Sequence, residues 1–144
     1  MTVAQFIVED FHKNTLDSLD PETVRQIRRK VLFAGAKVIE KETQTYIYDE
    51  HRMSGDMSRS VKQSDIHEDI DGIWVEIYPQ GSDRRGVSNE MKNKIIIIGY
   101  NSRASGKSTR IKDPYVKKLR DRVEPRVLAV MEYQFNLCME ELNR

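Results

Sequence analysis

The chain twice places an aspartate–proline pair directly ahead of a long stretch with helical apolar spacing, and this repeated start signal restricts the fold more than any other feature. An aspartate ahead of a helix accepts the unpaired N–H groups of the first turn. A proline at the first position lacks an N–H that would be orphaned there anyway. At Asp20-Pro21-Glu22 the glutamate adds negative charge at the positive end of the helix dipole. Val24, Ile27, Val31, Ala34 and Val38 then recur every three or four residues as one apolar stripe. Leu32, Gly35, Ile39 and Tyr46 form an adjacent stripe, so the helix is expected to be covered from two directions. It should run to about Asp49, ahead of Ser54-Gly55. The second signal has Asp113 as N-cap and Pro114 at the first position. Val116, Leu119, Val123, Val127, Val130, Met131, Gln134 and Leu137 follow at helical spacing. Pro125 interrupts that stretch at a cost of about 3 kcal/mol, which predicts a kink or two helices meeting there. A shorter helix is suggested by Val3, Phe6, Ile7, Val8 and Phe11.

Between the two helices the period changes. Residues 61–66 read as a short strand, and residues 67–72 carry the Asp and Gly of a turn. Ile73, Val75 and Ile77 alternate with Trp74, Glu76 and Tyr78, as in a half-buried strand. Residues 79–89 hold Pro, two Gly, two Ser and two Arg, the composition of an exposed loop. The four isoleucines at 95–98 read as a central strand. The predicted architecture is α+β: a small antiparallel sheet of three or four strands, packed by the helix from Pro21 and a C-terminal helix kinked near Pro125. One domain over residues 1–144 is expected, with flexible loops at about 79–92 and 101–112.

Composition narrows the class. With 38% apolar and 33% charged residues among 144, the chain should be globular and well solvated. A single cysteine excludes an internal disulfide framework and any paired-cysteine zinc site. No apolar run approaches 18 residues, and the first ten residues lack the basic start and apolar stretch of a secretion signal. A soluble protein made inside the cell is expected.

Motifs for chemistry fail their context tests. Ser105-Gly106-Lys107-Ser108-Thr109 after the isoleucine run resembles a phosphate-binding loop. That loop needs a glycine five positions before Gly106, where Asn101 stands, and a helix beginning at the Lys-Ser pair. Asp65, Glu68, Asp69, Asp71 and Glu76 with His67 could hold a cation or do acid–base work, but their spacing fits a hairpin turn better than a calcium loop. His12 and His51 have no partner at metal-ligand spacing. Cys138 lies among Leu137 and Met139 as an apolar residue. No G-x-S-x-G elbow occurs. Trp74, Tyr78 and Tyr100 could stack bases, though strand aromatics serve packing more often. No catalytic residue, cofactor-binding residue or metal ligand is assigned, and no enzyme activity is expected.

Charge patterning is the signal that remains. Residues 103–126 hold nine Lys or Arg against three acids, whereas residues 65–76 hold five acids and no Lys or Arg. The basic segment could grip phosphates, or opposite poles could steer subunits into an assembly. A net charge of +1 favours assembly, because duplex binders usually carry excess positive charge over the domain.

Three strings, in order, resemble the tail-component family of long-tailed bacteriophages. The first is Ser54-Gly55-Asp56-Met57-Ser58-Arg59-Ser60-Val61, similar to the family's Thr-Gly-x-Leu-x-x-Ser-Ile between helix and first strand. The second runs from Asn93-Lys94-Ile95 to Gly99-Tyr100-Asn101-Ser102-Arg103, similar to a strand ending in a Gly-Thr-Ser-like turn. The third is Pro114-Tyr115, where the family has Pro-Phe. The resemblance implies a structural morphogenesis protein assembled as a ring, joining head to tail or completing the tail. Its partners would be further copies and neighbouring neck or tail proteins. It would sit in the virion after assembly in the bacterial cytoplasm, with no cofactor and no membrane. Gly55, Met57, Pro114 and Tyr115 are then expected to determine the fold. Arg84, Arg85, Arg103, Lys107 and Arg110 are expected to contact subunits or partners. Nucleic-acid binding through residues 103–126 is the alternative.

Overall fold

The first start signal acts as its residues dictate. In the computed structural model, which describes residues 18–51, 55–70, 72–103 and 106–143, helix α1 spans Pro21–Glu50 with Pro21 in its first turn. The Asp20 carboxylate accepts the Thr23 N–H at 3.0 Å, and the Thr23 hydroxyl and N–H hold that carboxyl below its ordinary value. The buried face combines both expected stripes. Ile27, Val31, Gly35, Ile39, Thr43 and Ile47 recur every four residues, flanked by Leu32, Ala36 and Tyr46, whereas Val24, Ala34 and Val38 are only half-buried at the margin. Thr43 is tolerated in this apolar face because its hydroxyl donates to the Ile39 carbonyl one turn back, at 2.7 Å.

Helix α4, Tyr115–Leu142, buries Tyr115, Leu119, Val123, Val127, Met131, Phe135 and Cys138, again nearly every fourth residue. It lies antiparallel to α1. Lys30 meets Glu141 at 3.8 Å near one end, and Glu42 takes both Arg122 and Arg126 farther along. The helices pack tightly at Gly35, where a Cβ would lie 2.8 Å from Cγ and Sδ of Met131. Of the two outcomes expected at Pro125, a kink or a break into two helices, the break does not occur: α4 is one helix, continuous through that residue. Pro125 sits on the exposed face, so water can reach the carbonyl that loses its partner. Asp113 does not cap α4. Pro114 occupies the N-cap position without a side-chain bond, and the Asp113 carboxylate is used elsewhere.

Gly55 adopts φ +79°, a backbone angle that other residues resist, and starts a one-turn helix α2, Asp56–Ser60, where a direct passage into strand was expected. Met57 and Val61 are both buried in the common core, and the Ser58 hydroxyl donates to the Gln44 carbonyl of α1 at 2.8 Å. A single long hairpin follows. Strand β1 (Val61–Gln63) pairs antiparallel with β4 (Ile77–Pro79), and β2 (His67–Asp69) pairs with β3 (Gly72–Trp74) farther out. Ser64 still bonds to Glu76, so residues 65 and 66 together face Val75. That extra residue is a bulge, which bends the outer half of the hairpin relative to the inner half. The outer edge of β1 is met by α1, where Glu40 accepts the Gln63 N–H at 3.0 Å and Gln44 donates to the Val61 carbonyl at 2.8 Å.

The isoleucine run is not a strand. It ends helix α3, Asn89–Ile98, which Ser88 opens by accepting the Met91 N–H at 3.2 Å. The cap and the helix-forming Glu90, Met91 and Lys92 nucleate the helix upstream. The isoleucines then add only a few tenths of a kcal/mol each in helical cost. Gly99 at φ +109° ends it. The loop expected at 79–92 therefore stops at 88, and the loop expected at 101–112 is a hairpin of β5 (Tyr100–Ser102) and β6 (Thr109–Ile111). The fold is α+β as expected, with three two-stranded ladders in place of one meander. The helix suggested at residues 3–11 lies outside the described residues. No described helix is long and apolar enough to cross a membrane.

Candidate functional site

The polar cluster that most resembles reaction chemistry joins the end of α1 to the start of α4. One Asp113 carboxylate oxygen accepts the Tyr46 hydroxyl at 2.6 Å and meets Nε2 of His51 at 2.7 Å. Tyr46 stacks on Tyr115 with centroids 5.0 Å apart, and the Tyr115 hydroxyl donates to Oδ1 of buried Asn93 at 2.6 Å. Burial and then the Asp113 hydrogen bond push the Tyr46 phenol up to about 12, and burial raises Tyr115 further. Both phenols therefore stay protonated and act as donors. Among the described residues no serine, threonine or cysteine side chain bonds His51, so this His–Asp pair has no nucleophile to activate there. Its geometry ties four segments together: the end of α1, residue 113, α3 through Asn93, and the first turn of α4.

The acidic segment that could have held a cation is the β2–β3 hairpin. Glu68 receives Arg25 at 2.9 Å and Arg29 at 3.2 Å, and these two guanidinium groups hold its carboxyl below the ordinary range. His67 stacks on Trp74 at 5.4 Å, so that aromatic is spent on its neighbour across the hairpin. Among the described residues no group of three or more His, Cys, Asp or Glu could hold a metal ion. The Gly106-Lys107-Ser108-Thr109 stretch turns from β5 into β6 with Gly106 donating to the Arg103 carbonyl at 3.1 Å, and no helix begins there. An open trough of about 690 Å³ runs between Arg29 and Phe33 of α1 and residues 62–66. Its Glu40 is committed to the β1 edge.

The five expected contact residues fall into two groups, one at each end of α3. Arg84 and Arg85 project from a turn that Asp83 organises. Its carboxylate accepts the Arg85 and Val87 N–H groups at 2.8 and 2.9 Å and pairs with Lys92. The Lys92 ammonium and then the Val87 N–H pull that carboxyl down to about 2. Arg84 lies 3.6 Å from Asp56 and is otherwise in solvent. Arg103, Lys107 and Arg110 stand exposed on the β5–β6 hairpin beyond the other end of α3. Ten helical residues, about 15 Å, separate the groups. Of the four expected fold determinants, Gly55 takes a left-handed turn, Met57 and Tyr115 are buried in the core, and Pro114 takes the cap rather than the first helical position.

Sequence reading missed one surface. Met91, Ile95 and Ile98 form an exposed apolar row along α3, with Val87 exposed just ahead of its cap. Helical spacing from Met91 onward was the available signal, masked by the β-branched run. Comparison with protein-family models, with curated proteins and with solved structures returns no match to this chain.

Proposed function

We propose that this chain is a structural component of a long-tailed bacteriophage or prophage particle, a subunit of a ring that joins head to tail or completes the tail. The observation that carries the reading is the separation of opposite charge along α1. The acidic hairpin is moored by Glu68 at Arg25 and Arg29. Residue 113, which directly follows the basic β5–β6 hairpin, is moored at Tyr46 and His51. The two moorings are about 30 Å apart along the helix. A molecule with unlike ends favours ordered association over random contact. Two of the three strings that resemble the tail-component family add to this: Gly55, Met57 and Tyr115 lie at the turn and in the core, where a fold signature belongs, whereas the second string, read as a strand, is the end of a helix.

Native mass measurement followed by negative-stain imaging tests the proposal, with annular particles as the expected outcome. Reversing Arg103 and Lys107 to Glu should lower their yield, and an unchanged yield removes these two residues from the interface. A nucleic-acid reading keeps one observation in its favour. Arg103, Lys107, Arg110, Lys112, Lys117, Lys118 and Arg120 enter no ion pair among the described residues, while Arg122 and Arg126 are taken by Glu42. That reading requires DNA affinity that falls steeply between two salt concentrations in a mobility-shift titration.

A further inference from the structure

The inner face of α3 is built from Asn89, Asn93 and Ile96, so the helix would need no apolar residues on its outer face to hold its place. It carries three there all the same. Met91, Ile95 and Ile98 follow one another at one-turn steps, with Met91 51% and Ile98 66% exposed, and Val87 is exposed just ahead of the cap. Arg84 and Arg85 stand beyond one end of this row, and Arg103, Lys107 and Arg110 beyond the other. A partner that fits must offer an apolar projection with negative charge around it.

The chain has such a feature. Ile70 is fully exposed at the tip of the β2–β3 hairpin. Asp69 and Asp71 flank it in sequence, Asp65 lies on the same arm, and residues 63–83 contain no Lys or Arg. We infer that the Ile70 tip of one copy docks on the Met91–Ile95–Ile98 row of the next. This second-copy contact specifies the joint of the ring proposed above and rests on that reading. A copy cannot satisfy the row with its own tip. Glu68 fixes the tip near the N-terminal end of α1, whereas Asn93 and Ile96 tie α3 to Tyr115 and Asp113 at the other end. Two different surfaces meet, so the contact is head-to-tail, which closes into a ring or runs on as a filament. One knob on one short helix covers far less than the roughly 800 Å² per partner of a stable pair. Single contacts are therefore weak, and closure of the ring supplies the avidity.

Sedimentation of the full chain, with Ile70→Asp and Ile98→Asp variants checked for native circular dichroism, tests the contact. Wild type is expected to form species larger than a dimer as concentration rises, and each variant alone to stay monomeric. An equimolar mixture should grow no further than a weak heterodimer, because one variant keeps the row and the other keeps the tip, and no ring can close. If both variants assemble like wild type, or only one is impaired, or the mixture forms species larger than a heterodimer, the contact is wrong while the ring reading stands. A wild-type chain that is monomeric throughout and forms no annular particles removes both. If wild type instead binds phosphatidylserine vesicles through Ile98 with self-association untouched by either variant, the row is a lipid surface and the inference fails.

Discussion

Gly35 is a packing glycine, chosen for size and not for backbone freedom. Alanine in a helix interior is about 1 kcal/mol better than glycine, yet a Cβ here would press on Met131 at 2.8 Å and Val127 at 3.3 Å inside the core. Overpacking costs about 1–3 kcal/mol, so Gly35→Ala should lower stability by about 1 kcal/mol in urea unfolding. Shortening Met131 in the same chain should reduce that loss, a coupling that a double-mutant cycle reads directly. The Tyr46 phenol carries a pH signature. Its folded pKa of about 12 lies above the ordinary 10, so unfolding is favoured as soon as the unfolded phenol can ionise. Its contribution is complete below pH 10 and should disappear between about pH 10 and 12. Tyr46→Phe should flatten that part of the stability profile. Asp83 runs the opposite way. With a folded pKa of about 2, its contribution is present above about pH 4 and is lost as acid approaches 2. The Tyr46–Asp113 pair is not visible in sequence, because the two are separated by 67 positions and meet only when α1 and α4 lie side by side.

At the scale of elements, α1 was legible almost to its last residue. Asp20, Pro21, Glu22 and a thirty-residue pattern all favour the same local structure, and α4 keeps its expected spacing at Leu119, Val123, Val127 and Met131 but buries Phe135 and Cys138 where Gln134 and Leu137 were expected. Two element readings changed for physical reasons. Asp113 has the right identity for a cap, but two donors from α1 hold its carboxylate, and one side chain cannot serve both ends. Four consecutive isoleucines favour a strand only if nothing upstream has started a helix, and Ser88 has. Ser88→Ala should therefore cost about 1 kcal/mol and leave the end of α3 more prone to amide exchange than its centre. Pro125 costs a hydrogen bond on the exposed face of a helix that is continuous around it. Pro125→Ala should raise stability by about 1–3 kcal/mol, read as a higher melting temperature with unchanged helical signal.

At the scale of the molecule, the charge asymmetry read in the sequence became partly internal. Glu68 is held by Arg25 and Arg29, and Glu42 holds Arg122 and Arg126. What stays available is the basic β5–β6 hairpin with the first turns of α4, and the acidic arm around Ile70. Attraction between such surfaces is screened over about 8 Å at physiological salt. Self-association of the chain should therefore weaken as sodium chloride is raised, and sedimentation at two ionic strengths checks it. By itself the sequence determined the start of α1, the existence and approximate extent of the two long helices, the hairpin around Asp69 and Gly72, and the unlike charge of two segments. Each of these is a local pattern with its cause within a few residues. Tertiary structure decided that Asp113 clamps α1, that Gly35 packs against Met131 and Val127 of the facing helix, and that the isoleucines form a helix with an uncovered face. Those outcomes depend on which distant group arrives first at a side chain or a surface, and no local spacing encodes that.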